Sequence, residues 1–152
     1  LMKKEKDFYQ VSLKLLLKNK KGEILALKSI DNGSYAGYYE LPGGRIDTDE
    51  FRIDFIEILK REALEEMGNS DFKINPKPVA IGRHLIPTSL PLNKLGKDIH
   101  ILNVFFEAEY FGGDVVISDE HTDHKWIDLN KIELEKYFKS GILEGIKMYL
   151  GK

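Results

Sequence analysis

Near the middle of the chain, a helix-forming run ends in Arg61-Glu62-Ala63-Leu64-Glu65-Glu66-Met67-Gly68. On a helix, residues three and four apart are neighbours, so Glu62, Glu65 and Glu66 crowd adjacent parts of one face. Like charges at these spacings oppose the helix, and so does their place near its C-terminal end, where the dipole disfavours negative charge. Arg61 lies four residues before Glu65 and can pair with it. A fold that keeps this run either leaves it as a solvated acidic face or sets something positive against it. Hard divalent cations take oxygen ligands and keep waters and substrate phosphates in their shell, which makes a metal-bound diphosphate the sharper of the two readings.

The flanking sequence sets the frame. Pro42-Gly43-Gly44 is a turn, and Asp47 with Glu50 three residues on has the form of a capping box. The spacing predicts a helix over 51–67, stopped by Gly68. Its buried stripe would be Ile56, Leu59 and Ala63, extended by Ile53 and Met67. Strands are expected over 8–17 and 23–29, joined as a hairpin through Asn19-Lys20-Lys21-Gly22. Further strands are expected over 39–41, 79–86, 98–110, 115–117 and 125–128, with an acidic loop over 118–124. Residues 132–149 read as one or two helices with a break near Ser140-Gly141. The fold class is α/β: a mixed β-sheet covered on both faces, an α/β/α sandwich. A single domain over 1–152 is expected, with the charged residues 1–6 flexible.

The formal net charge of −2 comes with no basic block. That argues against long nucleic acid as a partner, since backbone binding needs a concentrated cationic surface. A small phosphorylated ligand remains allowed because a metal supplies charge locally. The absence of cysteine excludes a disulfide framework, a thiolate zinc site and a cysteine nucleophile. No apolar run reaches the roughly 18–20 residues of a membrane span. The charged N-terminus has no signal-peptide core, so a cytoplasmic location and no membrane partner are expected.

The motif from Gly44 to Gly68 resembles the Nudix box of the Nudix hydrolases. That box is Gly, five residues, Glu, seven residues, then Arg-Glu, an apolar residue, any residue, Glu-Glu, any residue, Gly and an apolar residue. Gly44 and Glu50 have the five-residue gap, Arg61 to Gly68 match in turn, and Glu40-Leu41-Pro42-Gly43 resembles the family's lead-in. Ten residues rather than seven separate Glu50 from Arg61, and Asn69 stands at the apolar position. If the three extra residues lengthen the helix, Glu50 moves away from Arg61, and Glu57, four before Arg61, becomes the rival partner.

The resemblance implies a Nudix fold and hydrolysis of a diphosphate linkage with Mg²⁺ or Mn²⁺. It implies Glu62, Glu65 and Glu66 as metal ligands, with the Gly43 carbonyl as another and Arg61 orienting Glu65. Glu120, six before Trp126, sits where many members carry a further acid, and Asp119 is a close second. The candidate general bases are Glu62, Glu66 and Glu120. Arg45, Tyr39 and Arg83 are candidate substrate contacts, and Tyr35 and Tyr38 are possible stacking groups. His100, His121 and His124 are candidate acid-base or sugar-bonding groups, and Arg83 and His84 lie on a strand near residues 87–96, a candidate lid. The substrate class is a nucleoside diphosphate linked to another moiety: a nucleoside triphosphate, ADP-ribose or a sugar nucleotide. Homodimers are common in the family. Isopentenyl-diphosphate isomerase, on the same fold, uses a catalytic cysteine that this chain lacks. A non-catalytic nucleotide or nucleotide-sugar binding module is the alternative.

Overall fold

The computed structural model describes residues 3–152, so expectations for Leu1 and Met2 lie outside it. Lys3 to Lys6 carry no regular structure and are exposed. Among the described residues, seven strands form one sheet in the order β3-β2-β1-β6-β5, with β4 pairing β1 and β7 pairing β2. The strands are β1 Tyr9–Lys18, β2 Ile24–Ser29, β3 Tyr39–Glu40, β4 Gly43–Arg45, β5 Asp71–Ile86, β6 Ile99–Gly112 and β7 His121–Ile127. The helices are α1 Phe55–Met67, α2 Leu134–Tyr137 and α3 Ser140–Tyr149.

Strand β1 organises the sheet. It runs parallel to β6 from Tyr9 opposite His100 to Lys18 opposite Glu109. Its leucines alternate between two cores, as the two-residue period requires. Leu13, Leu15 and Leu17 pack with Ile58, Leu59, Ala63 and Met67 of α1. Leu16 packs with Phe105, Ile142 and Ile146 on the α3 side. This is the expected layering, helix on either face of a mixed sheet. The hairpin of β1 with β2 is short, with Lys18 opposite Ile24. Further along, β1 turns to β4, whose Gly43, Gly44 and Arg45 face Lys14, Leu13 and Ser12.

Several expected boundaries move, each for a physical reason. The helix does not begin at Phe51. A 3-10 turn covers Thr48–Glu50, a loop follows, and α1 starts at Phe55. Phe51 is 90% exposed and Ile53 is 42% exposed, so continuing the helix through them would bury little. Ile53 therefore lies outside the buried stripe, and Ile58 joins it instead.

Strand β5 starts eight residues earlier than expected and passes through Pro76 and Pro78. It is an edge strand with register shifts around both prolines, where a missing N–H is tolerated. Residues 115–117 are not a strand. They are tied by one backbone bond, Val116 N–H to the Met67 carbonyl at 2.8 Å. Strand β7 takes in His121 to His124, expected as loop, because β2 offers them an edge. The C-terminal break falls at Phe138 and Lys139, just before the expected position.

Helix α3 lies unusually close to the sheet. A Cβ on Gly82 would overlap the Gly141 carbonyl, and one on Gly145 would overlap the Phe105 ring. Both glycines are spacing devices between helix and strand.

Candidate active site

A cavity of about 400 Å³ opens where Gly43 and Gly44, expected as a turn but paired to β1 as part of β4, meet the C-terminal half of α1. Glu62, Glu66, Glu120, Gly43, Gly44 and Arg45 all line it. The glycines let the helix carboxylates reach β4. Gly43 has φ +141°, a backbone conformation that favours glycine, and its Cβ position is filled by the Leu13 carbonyl. A Cβ on Gly44 would overlap the Glu62 carboxylate. The Gly43 N–H donates to Glu66 Oε2 at 3.1 Å, tying the last turn of α1 to β4.

The carboxylates differ in environment. Glu66 is 6% exposed, and burial pushes it up to about 7 despite Lys14, His121 and the Gly43 amide, which act the other way. Burial also raises Glu62, with Arg61 opposing. Glu65 stands apart: it is 60% exposed on the outer side of α1, with Arg61 and Glu57, and does not line the cavity. The three-four spacing thus puts two carboxylates inside and one outside.

Arg61 joins the two groups. Its Nη2 reaches Glu50 Oε2 at 2.6 Å, and its Nη1 lies 3.4 Å from Glu62 Oε1 and 3.2 Å from Glu65 Oε1. Glu50, not Glu57, is the main partner. The extra residues sit in the loop before α1, so they leave Glu50 in reach. The Asp47 amide and then Arg61 hold the Glu50 carboxyl below its usual range. Melting temperatures check this assignment: Glu50→Gln is expected to lower Tm, while exposed Glu57→Gln changes it by no more than about 1–2 °C.

Tyr39 and Arg83 do not line the cavity. Tyr39 packs against Tyr137, with ring centroids 5.9 Å apart, and Arg83 is exposed on β5. Asp119, Tyr38, His100 and His124 are also outside it, and His100 pairs with Asp7 at 2.7 Å. His84, Tyr35, His121 and Leu92 of the 87–96 loop do line it.

Ser12, Lys14, Ser34, Asp47, Asn103 and the half-buried Glu40 also line the cavity, none of them expected there. Lys14 had a signal: it interrupts the apolar run of β1 and faces opposite to Leu13 and Leu15. It lies 4.0 Å from Glu40, both side chains largely buried. Burial alone would raise Glu40, but the His121 hydrogen bond, Lys14 and the Ser29 hydroxyl together hold it at about 2.

At the other end of the cavity, His84 bridges Ser140 Oγ at 2.8 Å and Ser34 Oγ at 3.0 Å and stacks on Tyr35. Burial, then Lys139, pushes it down to about 4. The unfolded chain takes up this proton near 6.5 and the folded chain only near 4, so the unfolded state binds more protons in between. The contribution of His84 to stability is complete above about pH 6.5 and is lost as pH falls toward 4. Thermal melts between pH 7 and 4.5 check this: Tm is expected to fall less steeply in His84→Gln than in the parent. Among the described residues, the buried polar atoms without a partner are Tyr35 Oη, Asn103 Nδ2 and His121 Nδ1, and all three residues line this cavity.

A family model described as NUDIX domain matches residues 8–146. The chain belongs to the Nudix family. As a Nudix hydrolase it is an enzyme of phosphoanhydride bonds. Among solved structures, the MutT protein from Methanosarcina mazei Go1 is 28% identical, with a TM-score of 0.63 over 81% of this chain and 79% of that one. A NUDIX hydrolase from Nitrosomonas europaea has a TM-score of 0.68 at 16% identity, covering 95% and 90%. An ADP-ribose pyrophosphatase from Streptococcus suis 89-1591 has 0.62 at 19%, covering 95% and 91%. The last two show a shared fold. A comparison with curated proteins finds no match. Among the described residues, no helix is long and apolar enough to cross a membrane.

The carboxylates of Glu62, Glu66 and Glu120 give this Nudix cavity a set of oxygen donors. Among the described residues no three acidic or imidazole side chains lie close enough together to hold a metal ion by themselves. An open set fits Mg²⁺ or Mn²⁺, because Mg²⁺ in particular completes its shell with waters and substrate phosphates. The buried Glu66, raised by desolvation, fits a site where a cation supplies the missing charge.

Proposed function

We propose that this Nudix hydrolase cleaves the diphosphate linkage of a nucleoside diphosphate bonded to a further moiety, with Mg²⁺ or Mn²⁺ held by Glu62, Glu66, Glu120 and the Gly43 carbonyl. The observation that carries the reading is the convergence of these residues on one cavity that also holds Lys14 and Arg45. When bound, a divalent ion supplies Lewis-acid polarisation of phosphoryl oxygens and acidifies water.

The protein's own groups do the rest. Arg45, anchored by Gln10 Oε1 at 2.9 Å, and Lys14 offer positive charge to phosphoryl oxygens. A cavity carboxylate accepts the proton of the attacking water, with Glu120, Glu62 and Glu66 as candidates. Arg61 is a positioning residue for Glu62, and Glu65 holds Arg61 from the outer side.

The test is a panel of nucleoside triphosphates, ADP-ribose, sugar nucleotides and dinucleoside polyphosphates incubated with Mg²⁺ or Mn²⁺, with products resolved by chromatography. Metal-dependent cleavage at a phosphoanhydride supports the reading. Tight binding without turnover across the panel would instead indicate a nucleotide-binding module.

A further inference from the structure

Of the three carboxylates proposed to hold the metal, Glu120 is the one not carried by α1. It lies on the segment entering β7, exposed, and its backbone N–H finds only Ser118 Oγ at 3.4 Å. Something else must keep it at the cavity that Glu62 and Glu66 line, and the next residue provides a means. His121 is 7% exposed, and its Nε2 lies 3.3 Å from Glu40 Oε2. The same Glu40 oxygen accepts the Ser29 hydroxyl at 2.8 Å, and Lys14 lies near the other oxygen. Strands β2, β3 and β7 are thus joined side chain to side chain at one half-buried carboxylate.

The backbone explains how His121 gets there. Strand β7 pairs with β2 in register from Ile127 opposite Ile24 to Asp123 opposite Lys28, and then Ser29 faces His121 rather than Thr122. One extra residue on β7, Thr122, makes a bulge. A bulge breaks the alternation of faces and re-aims the side chains beyond it. Here it turns His121 inward onto Glu40 and leaves Glu120 at the cavity.

We propose that the Glu40–His121 pair, seated by Ser29 and the bulge at Thr122, is a latch that positions Glu120 for metal binding opposite Glu62 and Glu66. His121 and Glu40 are positioning residues: they act through Glu120. The proposal rests on the metal-site reading given above.

Mn²⁺ affinity, measured by calorimetry on the full chain, tests it without requiring a substrate. His121→Ala is expected to weaken Mn²⁺ binding about 10-fold, in the range for residues that orient a ligand. In an E120Q background the same change is expected to have less than about a twofold effect, because two groups acting through one contact are not additive. His121→Gln places an amide donor where Nε2 stands and is expected to restore most of the affinity.

An equal loss in both backgrounds, or no loss in either, overturns the latch. So does an E120Q protein that binds Mn²⁺ as the parent does. If Glu62→Gln and Glu66→Gln still weaken binding in that case, the metal site stands and only the latch has failed. If they too leave binding unchanged, the metal-site reading fails. Should His121→Ala not fold, Glu40→Gln, which keeps the shape of the acceptor but not its charge, carries the same cycle.

Discussion

Glu66→Gln is expected to lower turnover about 10²–10⁴-fold while the protein stays folded. Glu66 is almost fully buried, and its protein partner is the Gly43 amide. Glutamine keeps an oxygen for that bond and removes the charge. A buried carboxylate without a full counter-charge weighs against folding, so its neutral isostere is expected to hold Tm level or raise it. Loss of activity without loss of stability separates a functional carboxylate from a structural one. Steady-state kinetics and thermal melts of parent and variant, run together, give the result. Chelation of divalent ions in the parent is expected to reproduce the kinetic loss.

The two glycines of β4 are expected to respond in opposite ways. Alanine at Gly43 meets the Leu13 backbone carbonyl and a φ of +141°, and neither can relax cheaply. The backbone strain alone is worth about 1–3 kcal/mol, and the clash between β1 and β4 adds to it. Gly43→Ala is therefore expected to lower Tm sharply and to yield little folded protein. Alanine at Gly44 meets only the end of the Glu62 side chain, which can swing away. Gly44→Ala is expected to fold with nearly the parent Tm and to lose about 100-fold in turnover, the cost of misplacing a reacting group by about 1 Å. Circular dichroism melts and kinetics on the pair check both halves.

Residue spacing made much of this legible. Mixed strands with one central and one terminal helix pointed to a sheet covered on both faces, and the three-four spacing in α1 foretold the carboxylate cluster. Spacing did not say which of the three glutamates points away. That depends on how α1 is rolled against the sheet, set by Ile58, Leu59, Ala63 and Met67 in the core. The rivalry of Glu50 and Glu57 for Arg61 turned on whether three residues join a helix or a loop. The exposure of Phe51 and Ile53 decides it for the loop, and exposure is a property of the packed molecule.

Lys14, Glu40, Asn103 and His121 belong to four different strands, and only strand order brings them together. Register alone puts Ser12 beside Asn103 and Lys14 beside Gly43. The bulge at Thr122 has no turn residue to announce it, so the acidic stretch before Trp126 read as loop. Tyr39 and Arg83 lie outside the cavity for the same reason that their neighbours Glu40 and His84 line it. Neighbours on a strand face opposite sides, and a shift of one residue exchanges them.

The central claim is a divalent-metal site built on the helix carboxylates and the β4 glycines. Anomalous scattering from Mn²⁺-soaked crystals tests it most directly. One or more peaks are expected within ligand distance of Glu62, Glu66 and the Gly43 carbonyl, absent from Glu66→Gln crystals soaked in the same way. Mn²⁺ bound only at the outer face beside Glu65, or no peak in the cavity at saturating metal, would contradict it.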